Sequence, residues 1–527
     1  MERVLLVIAL MASIAIAALD STVVATAAPT IVGNLGGISL FSWVFSIYLL
    51  ASTVTVPLYG KLADLYGRKP ILLFGCATFL TGSVLCGVAG SMEQLIVFRA
   101  VQGLGAGAIQ PITMTIIGDS FSIEQRAKLQ GLFSSVWGVT SLAGPALGGL
   151  LTEGLSWRWV FFINLPIGLL AVVLISRFFR ERPEKHEHVL DYWGTVLLSG
   201  AVIALLLGLL QGVKSYGWTG AETMALFGTA AFLLVVFVLQ ERRAREPALP
   251  MWLFSNKVIA VSCLAVFIGG GMMFGVSSYL PLFVQGVFGG TAFDAGLVAL
   301  PMSVSWPLGS IFGGRVILRF GYYPSAVIGA LFLIAGAGTL LTLSADAPQA
   351  LGYVAAFIVG IGMGFQTSAL IISVQNAVEW RNRGIATAST QFFRTIGGSV
   401  SVAIMGAILN SQMADRLARV EGVPQGATAE TLLNVEQRAA IAPGVLDAMQ
   451  HALSASLHEI YFFVLGASLV SFAVILFFPR GKAHELAAGA QAGPAAAGAG
   501  NRAPTGAGAA RTEGPAESPR LMPEEGG

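Results

Sequence analysis

Runs of about twenty mostly apolar residues, the length that crosses a bilayer as a helix, recur along almost the whole chain and are separated by short links that hold most of the charge. We count fourteen such windows, the first starting near Leu5 and the last ending near Phe478. The pattern predicts an all-α polytopic membrane protein. Ala15 and Ala17 in the first window resemble the small-residue site of a cleaved leader. The apolar run continues past Asp20 to about Val32, however, so a retained membrane helix is expected.

Composition agrees. Of 527 residues, 55% are hydrophobic and 11% charged, against about 25% charged in a typical globular chain. That is too little polar side chain to cover a water-soluble protein of this size. The net charge of +2 creates no field that would attract nucleic acid. The three cysteines are isolated, so neither a disulfide framework nor a metal site is expected. Most of the 30 Lys and Arg fall on alternate links, which predicts an even number of spans with both termini cytoplasmic.

An internal repeat organises the chain. Gly60–Pro70 lines up with Gly314–Pro324, and Gly103, Gly105 and Gly107 line up with Gly360, Gly362 and Gly364. The expected arrangement is a six-helix bundle over 1–180, a linker with two further membrane helices over 181–257, and a second six-helix bundle over 258–480. The second bundle includes a long polar outer loop at 411–459, expected to be partly helical, and the Ala/Gly/Pro-rich tail at 481–527 is expected to be disordered. Parallel repeats of this kind build many secondary transporters, with the substrate site between the halves.

Asp20 lies inside the first window, where an acid costs about 2.5–3.5 kcal/mol to insert. A carboxyl held out of water can bind and release a proton near physiological pH, so a proton carrier that also attracts a cationic substrate is expected. The bland alternative is a neutral acid hydrogen-bonded to Ser21 or Thr22. Arg99, near the start of the fourth window, does not deprotonate. It either pairs with and tunes Asp20 or snorkels to the interface. The segment Gln102, Gly103, Gly105, Gly107 follows no strand and reads as close helix packing rather than a dinucleotide fingerprint. Gly144, Pro145, Gly148 and Gly149 in the fifth window predict a kink with tight packing.

In the Gly60–Pro70 link, Asp64 either pairs locally or sits against the positive end of a helix in the other half, as a latch that includes Lys61, Gly67 and Arg68. The repeat places Leu318 opposite Asp64, Phe274 opposite Asp20 and Ala356 opposite Arg99, so polar chemistry is concentrated in the first half. Tyr48, Trp137, Met273, Phe274, Tyr279, Gln366 and Phe392 are candidate pocket linings. With them goes Arg394, a second cation in an apolar window, which could balance charge in the pathway or pair with carbonyls. No catalytic or nucleotide-binding pattern occurs, so neither enzymatic activity nor a cofactor is expected, and uphill transport would draw on an ion gradient.

Together these residues resemble the major facilitator superfamily, and more closely its EmrB/QacA-type fourteen-helix drug:proton antiporters, over about residues 4–480. Leu19–Ile31 is similar to that family's first-helix signature, which implies that Asp20 is the coupling residue. Gly60–Pro70 resembles the superfamily loop motif, implying a latch in which Arg68 meets Asp119. The run from Arg99 to Gly105 resembles the proton-transfer motif. Gly131 with Gly144–Gly149 resembles the antiporter motif, implying exchange rather than symport. Thr140 departs from that motif, where glycine is usual, and the absence of further deep acids argues against dicationic drugs.

The resemblance implies the major facilitator fold: two six-helix bundles plus two additional central helices. It further implies a multi-pass inner-membrane antiporter that exports amphipathic, cationic or neutral small molecules by alternating access. Its partners would be lipid, protons and drug-like compounds, without nucleic acid, and a periplasmic adaptor is left open. A dedicated exporter of an endogenous metabolite, lipid or antibiotic on the same scaffold is the alternative, followed by a membrane sensor that moves nothing.

Overall fold

A computed structural model describes residues 2–35, 41–181, 191–214, 220–244, 247, 249–290, 292–424, 429–433 and 438–480, and every regular element among them is helical. The tail expected to be disordered, 481–527, lies outside the described residues. In chain order the helices are α1 (Glu2–Leu35), α2 (Phe41–Tyr66), α3 (Arg68–Gly87), α4 (Met92–Ser120), α5 (Ile123–Gly154), α6 (Trp159–Phe162) and α7 (Asn164–Phe178). These are followed by α8 (Tyr192–Lys214), α9 (Ala221–Glu241), α10 (Trp252–Ser255), α11 (Lys257–Gly286), α12 (Ala292–Phe320), α13 (Tyr322–Leu340) and α14 (Ala350–Asn376). A 3-10 turn at Trp380–Asn382 leads into α15 (Arg383–Leu417), and α16 (Ala429–Leu433) and α17 (Pro443–Leu476) complete the set.

Helices are the form that satisfies every backbone group within a single segment in lipid. The links show why each helix starts where it does. Ser91 caps α4 by accepting from the Gln94 backbone N–H at 3.3 Å, and Asn256 caps α11 by accepting from Val258 at 2.9 Å. Ser122 and Gln125 form a reciprocal capping box at the start of α5. Between α2 and α3 the chain turns at Gly67 with φ 96°, and between α12 and α13 it turns at Gly321 with φ 93°. L side chains avoid that region, and the two glycines occupy equivalent places in the repeated link.

Among the described residues, twelve helical segments are long and apolar enough to cross a membrane by length and composition. α5 and α8 are not among them, although α5 is 32 residues long and α8 holds the apolar stretch Trp193–Leu209. The expected count of fourteen turns on these two. Helices α1–α7 pack mainly on one another, as do α11–α17, and α8 pairs with α9. The two most extensive contacts joining the groups are α2 against α15 and α5 against α12, and α4 and α5 also touch α14 while α4 touches α15. Under the repeat, α2 corresponds to α12 and α5 to α15, so each of the two extensive contacts is the other's counterpart. Alongside, α8 rests on α2 and α15.

The outer link at 411–459, expected to be partly helical, contains helix at both of its ends and in α16 among the described residues. α15 continues to Leu417, α17 begins at Pro443, and between them α16 buries Leu432 completely. Apolar positions such as Met413, Leu417, Met449 and Leu453 carry the core of the second half into this link.

Candidate functional site

Asp20 sits in the middle of α1, fully buried. One of its carboxylate oxygens, Oδ2, pairs with Nη1 of Arg99 on α4. Oδ1 accepts from Nε2 of Gln102 at 2.8 Å and from Nδ2 of Asn164 at 3.3 Å. Arg99 Nη1 also donates to Gln102 Oε1 at 2.7 Å, and its Nε donates to the Val44 carbonyl of α2 at 3.2 Å. The guanidinium lies 4.2 Å over the Tyr48 ring. Ser83 Oγ accepts from Gln102 at 3.3 Å and from Asn164 at 3.0 Å, and donates to the Phe161 carbonyl. A buried charge is tolerable when paired and hydrogen-bonded in this way. The expected pairing of Arg99 with Asp20 is present, and Ser21 and Thr22 turn to backbone carbonyls rather than to Asp20.

Two residues change role. Gln102, grouped with the packing glycines from sequence, is a direct partner of both charges. Tyr48, expected in the pocket, is the aromatic floor beneath Arg99 and lines none of the described cavities. The glycines around Gln102 do pack closely. A Cβ at Gly103 would meet the Tyr48 carbonyl of α2 at 2.6 Å, and one at Gly105 would meet the Gly75 carbonyl of α3 at 2.6 Å. Gly107 lies against Ser52 and Thr55 of α2. Their repeat partners behave alike, with Gly360 and Gly364 against α12 and Gly362 against α13. In the fifth-window motif, Gly144 abuts Thr22 of α1, but Gly149 has nothing within 4 Å of an added Cβ, so tight packing there is not found. Gly148 is buried, and α5 runs unbroken through position 145.

The second polar cluster lies where α2, α4 and α7 end and α3 and α15 begin. Asp64 accepts backbone N–H bonds from Gly384 at 2.9 Å and Ile385 at 2.7 Å, the first turn of α15. α15 has no side-chain cap of its own, so Asp64 satisfies its orphan donors from the other helix group. Arg68 is almost fully buried and pairs with Asp64 at 3.0 Å and with Asp119 at 3.1 Å. The second pair lacks hydrogen-bond alignment. Arg68 also donates to the Trp380 carbonyl at 2.8 Å and stacks 4.0 Å over that ring. Lys61 lies one turn before Asp64 on α2.

Sequence reasoning missed several members of this cluster. Glu181 accepts from the backbone N–H groups of Arg68 and Lys69, both at 2.8 Å, and so caps α3. Arg383 reaches Asp119 at 3.2 Å and the Gln375 carbonyl at 3.0 Å. Arg126 donates to Asn376 Oδ1 at 2.9 Å, and Gln375 Nε2 donates to the Met114 carbonyl at 3.0 Å. The repeat register was the available signal, since the alignment of Gly103 with Gly360 also carries Arg126 onto Arg383 and Asp119 onto Asn376. Asn164 gave no signal, being a lone amide at a helix start.

Among the described residues, two cavities lie between the helix groups and a small third one lies within the second group. One of about 380 Å³ is bounded by α2, α8, α11 and α15, with Leu50, Leu206, Phe274 and Tyr279 among its walls. Another of about 190 Å³ lies among α4, α5, α11, α12 and α15 and includes Trp137, Met273, Phe274, Trp306 and Arg394. A third of about 10 Å³ takes in Gln366, Gln391 and Arg394. Expected pocket residues Trp137, Met273, Phe274, Tyr279 and Arg394 therefore line the larger cavities. Gln366 reaches only the smallest and donates to Ser471 at 2.9 Å. Phe392 lines none of these; it is buried in the apolar seam where α2, α8 and α15 meet. No carboxylate lines any of the three, so a cationic cargo finds no counter-charge there, and Asp20 is walled off from all of them.

Two repeated helix groups, cavities between them and an ionised cluster closing one end define a secondary-transporter scaffold. The Major Facilitator Superfamily family model matches residues 10–402, and the chain belongs to that family. It is 38% identical over 416 residues to the "Multidrug transporter protein MdtP" of Bacillus subtilis (strain 168), covering 79% of this chain and 77% of the relative. It is 34% identical over 491 residues to "Multidrug resistance protein 3" of the same organism, covering 91% and 96%. Among solved structures, the proton:xylose symporter XylE superposes with a TM-score of 0.60 over 92% of this chain and 98% of that one at 14% identity, a likeness of fold. The protein is accordingly a multi-span membrane transporter with the major facilitator fold, not an enzyme.

Proposed function

We propose that this transporter is a proton-coupled antiporter that exports amphipathic small molecules by alternating access. The names of the relatives support drug efflux, and the enclosed Asp20 site supports proton coupling. Its observation of most weight is that Arg99 ties Asp20 on α1 to Val44 and Tyr48 on α2, the same helix that carries Asp64 into the first turn of α15. Tyr48 and Asp64 are about 24 Å apart along α2 at 1.5 Å per residue. Protonating Asp20 removes Arg99's charge partner, so α2 is loosened at one end while the cluster at its other end holds the two helix groups together.

In this reading fourteen helices span the inner membrane, α5 and α8 included, and both termini are cytoplasmic. The basic ends of the helices face the cytoplasm, so the cluster around Arg68 closes the cytoplasmic side. Residues 1–180 and 258–480 form the two moving bundles, with 181–257 as the connecting helix pair. No cofactor takes part. One proton crossing 100 mV supplies about 2.3 kcal/mol and one pH unit adds about 1.4 kcal/mol, enough for a several-hundred-fold concentration ratio of a neutral cargo. In inverted vesicles with an acidified lumen, an amphipathic dye should accumulate inside and leave when a protonophore is added. Absence of gradient-dependent accumulation contradicts the proposal.

A further inference from the structure

We infer that the cavity between the helix groups binds amphipathic organic anions, with Arg394 as their counter-charge. The inference rests on the exporter reading for the route of the ligand but not for its binding.

Among the described residues the other enclosed guanidinium groups have partners, Arg126 through the Phe121 carbonyl and the Asn376 amide oxygen and the rest through acids. Arg99 has Asp20 and the Tyr48 ring, Arg68 has Asp64, Asp119 and Trp380, and Arg383 has Asp119. Arg394 is the exception: among the described residues it has no ion pair, hydrogen bond or ring contact. It sits mid-helix on α15, with Gly270 of α11 pressed against its backbone, so it is too deep to snorkel out. Its exposed fraction opens onto two of the cavities. A guanidinium stays ionised at any physiological pH, and such a charge removed from bulk water carries a large penalty until an anion meets it.

The surroundings fit an anion with an apolar body. Arg394 is the charged residue on the cavity of about 190 Å³, whose other walls are aromatic and methionine side chains with Gln110, Gln130 and several hydroxyls. Trp306, on the same cavity, has an indole N–H without an acceptor, and Gln391, beside Arg394 on the smallest, has an unmatched side-chain amide nitrogen. Unmatched groups here are donors, which is what a carboxylate or sulfonate requires. The apolar cavity of about 380 Å³ shares Phe274 and Thr395 with this one and lies in the range of about 300–1,000 Å³ usual for drug-sized ligands. It would receive the apolar body. Exchange of one proton inward for one monoanion outward moves positive charge inward in both legs, so the membrane potential would assist the export of such a cargo.

The test uses the full-length protein in nanodiscs of zwitterionic lipid and three probes on one skeleton: pyrenesulfonate, pyrenemethanol and pyrenemethylammonium. Binding is read by energy transfer from tryptophan. The wild type should bind the sulfonate at least about tenfold more tightly than the ammonium probe. Arg394→Gln should weaken the sulfonate by about tenfold, the scale of a lost charge-assisted hydrogen bond, and change the alcohol less than about twofold. Arg394→Lys should keep most of the preference. An ammonium affinity equal to or above that of the sulfonate in the wild type overturns the inference without any variant. So does an equal loss of sulfonate and alcohol binding in Arg394→Gln. Proton-driven flux of pyrenemethanol in proteoliposomes reads the exporter proposal separately. Flux without sulfonate preference removes this inference alone, and sulfonate preference without flux removes the exporter proposal alone.

Discussion

Arg126 of α5 donates to the side-chain oxygen of Asn376 at the end of α14, and the repeat turns this contact into its own counterpart: Arg383 of α15 pairs with Asp119 at the end of α4. The same operation takes Arg68, which meets Asp119, onto Tyr322, whose hydroxyl accepts from Asn376 at 2.7 Å. Both interfaces thus use one design, with a carboxylate acceptor in one copy and an amide in the other. Opening that end requires breaking both, and the carboxylate copy is the one whose strength charge can change.

Asn376→Asp should turn the amide copy into a salt-bridged one. An ion pair with the Arg126 guanidinium replaces its hydrogen bond to a neutral amide, a gain of about 1 kcal/mol confined to the conformation closed at this end. Thermal stability should rise and the maximal export rate should fall. Faster export at higher stability would show that this contact does not hold the end closed.

Asp64→Asn should leave one of the two N–H groups of Gly384 and Ile385 without an acceptor and remove the charge opposite Arg68, a loss of about 1–3 kcal/mol. Distances between spin labels on α2 and α15 near these residues should broaden toward an open population. Leu318→Asp, the same acid at the repeated position, should not tighten the α12 to α5 contact, because Ser122 and Gln125 already cap α5. A narrowing there would mean that self-capping is not what relieves α12 of an acid.

Arg68→Lys preserves charge but cannot meet Asp64, Asp119 and the Trp380 carbonyl together or stack on the indole. Removing a buried partner altogether costs about 3–5 kcal/mol, and a lysine that serves only one of the two acids should lose part of that, so a fall in thermal stability is expected. Wild-type stability would show that the cluster contributes little.

Packing separates two glycines that look alike in sequence. Gly105→Val should collide with the Phe79 and Gly75 backbone of α3 and prevent assembly of the first helix group, whereas Gly149→Ala meets open space. The latter should be neutral or stabilising by up to about 1 kcal/mol. Expression and melting of the two variants decide the matter.

What the chain revealed on its own follows from how local each signal is. Helices were legible because lipid demands long apolar runs, and Asp20, Arg99, Asp64 and Arg68 stood out because charge there is rare. Gln102 and Tyr48 were misplaced because an amide or a phenol near a helix middle reads equally as packing, pocket or hydrogen-bond partner until three-dimensional neighbours are known. Glu181 and Arg383 were overlooked because charges in short links usually face water. Gly149 shared a motif with Gly144, yet only Gly144 faces another helix closely.

The account depends on Asp20 exchanging a proton during each cycle. The most direct measurement loads wild-type and Asp20→Asn proteoliposomes with a neutral amphipathic dye and follows dye efflux together with pH on the side the protons leave. Wild-type efflux should be accompanied by alkalinisation and should run uphill on an imposed pH gradient. Asp20→Asn should retain downhill exchange and lose both effects, whereas uphill, proton-linked efflux by Asp20→Asn would contradict the account.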